Sequence, residues 1–239
     1  MRKTKFMALL LCVTLILSGC ASMNNTTKGG LIGGGGGAAL GAGIGALIGK
    51  GKGAAIGAAI GAAVGTGAGV YVGNRMDKAA KQAAAIEGAQ VEQVTDNNGL
   101  QAVKVTFDSG ILFGTGASTL SSSAKASLSK FANDVLKTNT NMDVDIYGFT
   151  DNQGWRNSTA EQSKQKNIDL SQQRAQSVST YLLSCGVAPA QVKGVEGLGE
   201  ENPVADNATA AGREQNRRVE VYMYASQEMI RQAEAGTLQ

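Results

Sequence analysis

Between Gly29 and Gly73 a glycine falls on every fourth position: Gly29, Gly33, Gly37, Gly41, Gly45, Gly49, Gly53, Gly57, Gly61, Gly65, Gly69 and Gly73. On a helix this spacing puts all of them on one face, where missing side chains let a second backbone approach closely. Lys50-Gly51-Lys52 interrupts the run midway. It leaves two charge-free halves of about 31 Å each at 1.5 Å per residue, so residues 29–73 are predicted to form a helical hairpin. The six apolar residues Leu31, Ile32, Leu40, Ile44, Leu47 and Ile48 contribute about −3 kcal/mol toward insertion, whereas the glycines of that half cost on the order of 10 kcal/mol of helix propensity. A lone membrane span is therefore marginal. Self-association, or close packing of the two halves against a membrane, is the expected way to offset the deficit.

The chain opens as a secretory leader, with Arg2, Lys3 and Lys5 ahead of the apolar run from Phe6 to Leu17. The tetrapeptide that follows, Leu17-Ser18-Gly19-Cys20, resembles the bacterial lipobox. That resemblance implies cleavage after residue 19 and lipidation of Cys20, with residues 20–28 as a polar tether to the membrane. Ala21 rather than Asp after the cysteine resembles sorting to the outer membrane. Of 22 basic residues three lie in the leader, leaving 19 against 19 acidic ones. A mature chain with no net charge is not expected to bind nucleic acid. Cys12 goes with the leader and Cys20 to lipid, so Cys185 stands alone and no intramolecular disulfide is expected. The chain has no histidine, which removes Ser-His-Asp chemistry and most zinc sites. Neither catalysis nor a cofactor is expected.

The remaining chain alternates periods of two and 3.6. A connecting helix is predicted over 75–87 and two strands over 89–95 and 100–107, flanking the turn Asp96-Asn97-Asn98-Gly99. Helices are predicted near 123–137, 171–184 and 227–235, and strands near 143–149, 191–198 and 218–224. The expected architecture is an α/β (α+β) sandwich with its helices on one sheet face. The domain division is a linker helix and hairpin over 74–101, a sandwich over 102–225 and a tail helix over 226–239. Cys185, at the end of the helix over 171–184, is expected to be a buried, inert thiol.

Three signatures lie inside the sandwich: Phe149-Thr150-Asp151-x-x-Gly154, Leu170-Ser171-x-x-Arg174-Ala175, and Gly212-Arg213-x-x-Asn216-Arg217-Arg218-Val219-Glu220-Val221. Thr150 and Asp151 follow an alternating apolar run, which puts a carboxylate where a strand passes into a loop. Ser171 reads as an N-cap, placing Arg174 in the first helical turn with its guanidinium free to fork onto a carboxylate. A carboxylate and a guanidinium facing across a groove suit a zwitterionic amino-acid head. Together, in this order, the signatures resemble the OmpA-like peptidoglycan-binding domain over Val103 to Tyr224, and the glycine run resembles the glycine-zipper segments found ahead of such modules.

The resemblance implies that Asp151 and Arg174 hold the free amino-acid end of diaminopimelate in the peptidoglycan stem peptide. Thr150, Asn167, Asn216 and Arg217 are further candidates, with ligand contact and structural hydrogen bonding both open for Asn216 and Arg217. One departure from the family is the long connection from Trp155 to Lys166, expected to be a loop. Trp155 beside Arg156 either stacks on a sugar ring, lids the peptide, or staples the loop to the domain. The implied function is an outer-membrane lipoprotein that tethers membrane to wall without catalysis. The alternative is an oligomer-forming or membrane-active protein whose working part is the glycine zipper.

Overall fold

The computed structural model describes residues 67–95 and 101–237. The leader, Cys20, the glycine register up to Gly65 and the turn from Asp96 to Gly99 lie outside the described residues. Gly69 and Gly73 fall within the first described helix, α1 (Gly67–Ala84). Among the described residues no helix is long and apolar enough to cross a membrane.

Strands β1 (Ala89–Thr95) and β2 (Gln101–Asp108) pair antiparallel with Val91 opposite Val105. The short helix α2 (Ser109–Leu112) follows, then α3 (Ser122–Lys130), which continues as a π-helical segment over Phe131–Leu136. Next come β3 (Met142–Gly148), the long helix α4 (Ala160–Ser184), β4 (Val192–Gly197), α5 (Ala210–Asn216), β5 (Arg218–Ala225) and α6 (Gln227–Glu234). The five strands form one sheet in the order β1-β2-β5-β3-β4, antiparallel throughout except for the parallel pair β3-β4. The α/β sandwich read from the sequence is the architecture observed. Helix α1 and strand β1, expected as a linker, add a packed helix and an edge strand to the same core.

Strand alternation sorts the side chains. Val103, Val105, Phe107, Val144, Ile146, Val219, Val221 and Met223 are buried on the face that carries the helices, where Phe107 meets Phe131 edge to face at 5.6 Å. The opposite face carries Asp143, Asp145, Tyr147, Glu220, Tyr222 and Tyr224. Its polar groups bond one another: Tyr222 donates to Glu220 at 2.8 Å and Tyr224 to Asp145 at 3.2 Å.

Helix α4 departs most from the sequence reading. It begins at Ala160, so Ser171 lies at its centre and most of the expected loop is helix. Thr159 is the true N-cap: its hydroxyl accepts from the Gln162 N–H at 3.2 Å, and the Gln162 side chain accepts from the Thr159 N–H at 2.9 Å. This reciprocal capping satisfies two helix-start donors and lets the helix form about three turns earlier.

The helix lies almost on the backbone of β3 and β4. A Cβ at Gly148 would sit 2.1 Å from the Ser171 carbonyl oxygen, and one at Gly197 would sit 2.1 Å from the Gln172 nitrogen. Hydrogen bonds then fasten the contact: Gly199 N–H donates to Ser171 Oγ at 2.9 Å and Gly197 N–H to Gln172 Oε1 at 2.7 Å. Cys185 caps the far end of α4 and is half-buried rather than buried.

Candidate functional site

The buried stripe of α4 changes character along its length. From Ala175 onward it buries Ala175, Val178 and Leu182, with Ser179 beside them; up to Arg174 it buries Ser163, Asn167, Ser171 and Arg174. Buried polar side chains persist where they find partners, and these meet the loop that follows β3. The Thr150 N–H donates to the Gly199 carbonyl at 2.7 Å, fixing Thr150 and Asp151 beside the helix.

A cavity of about 500 Å³ opens there, lined among others by Thr150, Asp151, Asn167, Arg174 and Arg217. Five of the six candidates named from the sequence thus share one site. Asn216 does not line it. Asn216 is fully buried and holds the loop before α5, accepting from the Val204 and Ala205 N–H groups at 2.8 and 3.0 Å and donating to the Ala205 carbonyl at 2.9 Å.

Arg174 sits in mid-helix, not in a first turn. Its Nε donates to the Ala117 carbonyl at 3.0 Å and its guanidinium lies 5.2 Å from the centre of the Phe113 ring. Its Nη1 is buried with no hydrogen-bond partner. Burial, and then the charge of Arg217, lower its pKa, with Asp151 acting in the opposite sense. An anion entering the cavity relieves that cost. Asp151 is already engaged: Arg217 Nη1 donates to its Oδ2 at 2.6 Å and the Gln153 N–H to its Oδ1 at 3.1 Å. The pair is buried on the aspartate side and more than a third exposed on the arginine side. Thr150 Oγ1, also buried, lacks a partner.

The residues between Gly154 and Asn167 build one wall. Trp155 Nε1–H donates to Asn167 Oδ1 at 2.7 Å, and the Trp155 N–H to Ser163 Oγ at 3.0 Å. Asn167 Nδ2 in turn lies 3.3 Å from the Gln153 carbonyl and 3.4 Å from that of Asp151. Lys166 Nζ stands 5.9 Å from the indole centre and bonds Ser158 Oγ at 2.9 Å. Trp155 is therefore tied to the helix through both its indole and its backbone N–H, and it also lines the cavity.

The opposite wall, Ser109, Gly110 and Phe113 to Gly116, was not found by motif. Its signal was present in the two glycines of Phe113-Gly114-Thr115-Gly116, which mark a turn, and the Ala117 carbonyl that follows them accepts from Arg174. Among the described residues no cluster of His, Cys, Asp or Glu could hold a metal ion.

Residues 112–217 match the OmpA family model, and residues 1–77 match the YMGG-like Gly-zipper model. The chain is similar to the probable lipoprotein YiaD of Escherichia coli, at 40% identity over 119 residues, 49% of this chain and 46% of that one. It is also similar to the peptidoglycan-binding protein ArfA of Mycobacterium tuberculosis, at 40% identity over 120 residues, 50% of this chain and 34% of that one. The chain thus spans less than half the length of these two relatives. Among solved structures, a putative MotB-like protein from Desulfovibrio vulgaris superposes with a TM-score of 0.51 at 27% identity, covering 64% of this chain and 90% of that one.

Proposed function

From the premise that this chain carries an OmpA-family domain over residues 112–217 and a YMGG-like Gly-zipper over residues 1–77, we propose that it binds peptidoglycan noncovalently through the free amino-acid end of diaminopimelate. The observation that carries this reading is that Arg174, whose buried Nη1 has no hydrogen-bond partner, lines the same cavity as Asp151. The ligand carboxylate docks on Arg174 and its ammonium on Asp151, which Arg217 then shares. Thr150 Oγ1 and Asn167 complete the polar lining. ArfA, a peptidoglycan-binding protein by name, supports peptidoglycan as the ligand class.

The same proposal places Cys20 as the lipidated residue and the wall module on the periplasmic side of an outer membrane, so that the chain joins membrane to wall. Sedimentation of the full chain with purified sacculi, competed by free meso-diaminopimelate, tests the binding. Retention in the supernatant, or a pellet that diaminopimelate does not release, would overturn it. Labelling with a fatty-acid analogue tests the anchor, with label expected in the wild type and absent from Cys20→Ser. Self-association through the glycine register belongs to the same proposal, and Gly45→Leu with Gly57→Leu is expected to weaken it in crosslinking even as membrane partition rises.

A further inference from the structure

The cavity carries more positive charge than a zwitterion can use. Among the described residues that line it, Arg156, Arg174 and Arg217 stand against one acid, Asp151. Asp151 and Arg217 pair with each other. An amino-acid head brings one carboxylate and one ammonium and so changes nothing in the sum; after it binds, Arg156 still has no counter-charge.

Arg156 is exposed, and none of the described residues holds its guanidinium by a hydrogen bond or ion pair. Its backbone, by contrast, is held. Trp155, the residue before it, is bonded to Ser163 and Asn167, its carbonyl accepts from the Ser158 N–H at 3.2 Å, and Asn157 closes the turn in the left-handed region at φ 57°. A long side chain on a pinned turn loses less freedom on binding than one on a loose loop. It also stands in a fixed relation to Asn167, whose amide braces the Asp151 loop.

Resting on the wall-binding reading above, we infer that the cavity selects a peptide with a second carboxylate next to the diaminopimelate head, and that Arg156 receives it. In a diaminopimelate stem peptide the neighbouring residue is a γ-linked glutamate. Its α-carboxylate is either free or amidated, and Arg156 distinguishes the two forms. A free carboxylate offers a charge-assisted, bidentate match to the guanidinium; a carboxamide presents one oxygen and an NH₂ that an arginine cannot use.

The test is calorimetric titration of the full chain in detergent with L-alanyl-γ-D-glutamyl-meso-diaminopimelate and with the same tripeptide amidated at the glutamate α-carboxyl. The free acid is expected to bind roughly three- to tenfold more tightly, as suits an exposed charge contact, with the preference shrinking as salt is raised. In Arg156→Gln both peptides should bind as the amide does in the wild type, while Arg156→Lys should keep part of the preference. Equal binding of the two peptides by the wild type, or an undiminished preference in Arg156→Gln, would overturn the assignment of Arg156 and leave diaminopimelate binding standing. Failure of both peptides to bind would overturn the parent reading and this one with it.

Discussion

Arg217 Nη1 donates to Asp151 Oδ2 at 2.6 Å, so the one carboxylate among the described cavity residues is compensated before any ligand arrives. A ligand ammonium must therefore share Asp151 rather than find it free. Removing either Asp151 or Arg174 leaves an opposite ligand charge desolvated and unpaired, at about 2–5 kcal/mol. Asp151→Ala and Arg174→Ala are expected to abolish sedimentation with sacculi. Arg217→Ala should weaken it less, and should cost the fold under about 1 kcal/mol because the pair is partly exposed. Equal sedimentation of all three variants with wild type would remove the site assignment.

The bond from Trp155 Nε1 to Asn167 Oδ1, 2.7 Å long and partly buried, joins the added wall to the cavity floor. Trp155→Phe keeps an aromatic ring and deletes the donor, for an expected loss of about 1 kcal/mol. A double-mutant cycle with Asn167→Ala should return a coupling of similar size, since the Trp155–Asn167 bond is the contact that both single changes break. Additive effects in urea denaturation would mean that the two side chains act independently.

Most strands were legible because alternation is a local pattern: the strands predicted over 89–95 and 143–149 are observed at 89–95 and 142–148. The start of α4 differs from the sequence expectation for a physical reason. A serine ahead of an apolar periodic run reads as a cap, and Leu170-Ser171 fits that reading, but the helical stripe N-terminal to it is polar and carries no hydrophobic period. The deciding signal was Thr159-x-x-Gln162, a capping box written in the sequence. Of the cavity's charged residues, Asp151, Arg174 and Arg217 were legible from their signatures, while Arg156 lies outside them. The cavity's depth was not legible, because Gly148, Gly197 and the Ala117 carbonyl come together only through long-range packing. Nor does any local pattern tell Asn216, which braces a loop, from Arg217 beside it, which lines the cavity.

That packing can be tested at one atom. Gly148→Ala would place a methyl 2.1 Å from the Ser171 carbonyl oxygen, a backbone atom that cannot step aside without moving α4. Overpacking of this kind is expected to cost on the order of 3 kcal/mol or more. Gly114→Ala serves as the comparison, because its nearest neighbour would be the Ala117 Cβ at 3.9 Å; its effect should stay within about 0.5 kcal/mol. Similar urea midpoints for the two variants would contradict the close approach of α4 to β3.

The polar face of the sheet gives the fold a pH dependence of defined sign. Burial, the largest cause, and the neighbouring charge of Asp143 push the Asp145 pKa up to about 6, against the lowering effects of the Tyr224 hydroxyl, the Gly194 N–H and Lys193. Asp143 is raised in the same direction, again chiefly by burial, with Lys193 at 3.6 Å opposing it. A carboxyl whose folded pKa exceeds its unfolded value of 3.8 holds its proton longer in the folded state. The associated stability is complete below about pH 4 and is lost as pH rises through about 6. Asp145→Asn cannot ionise, and its remaining oxygen can still accept from the Tyr224 hydroxyl. The variant is therefore expected to gain on wild type by about 2–3 kcal/mol between pH 4 and pH 7. Urea midpoints at pH 4, 5.5 and 7 measure the difference directly; one that stays constant across that range would show that Asp145 titrates normally and that burial of this face imposes no charge penalty.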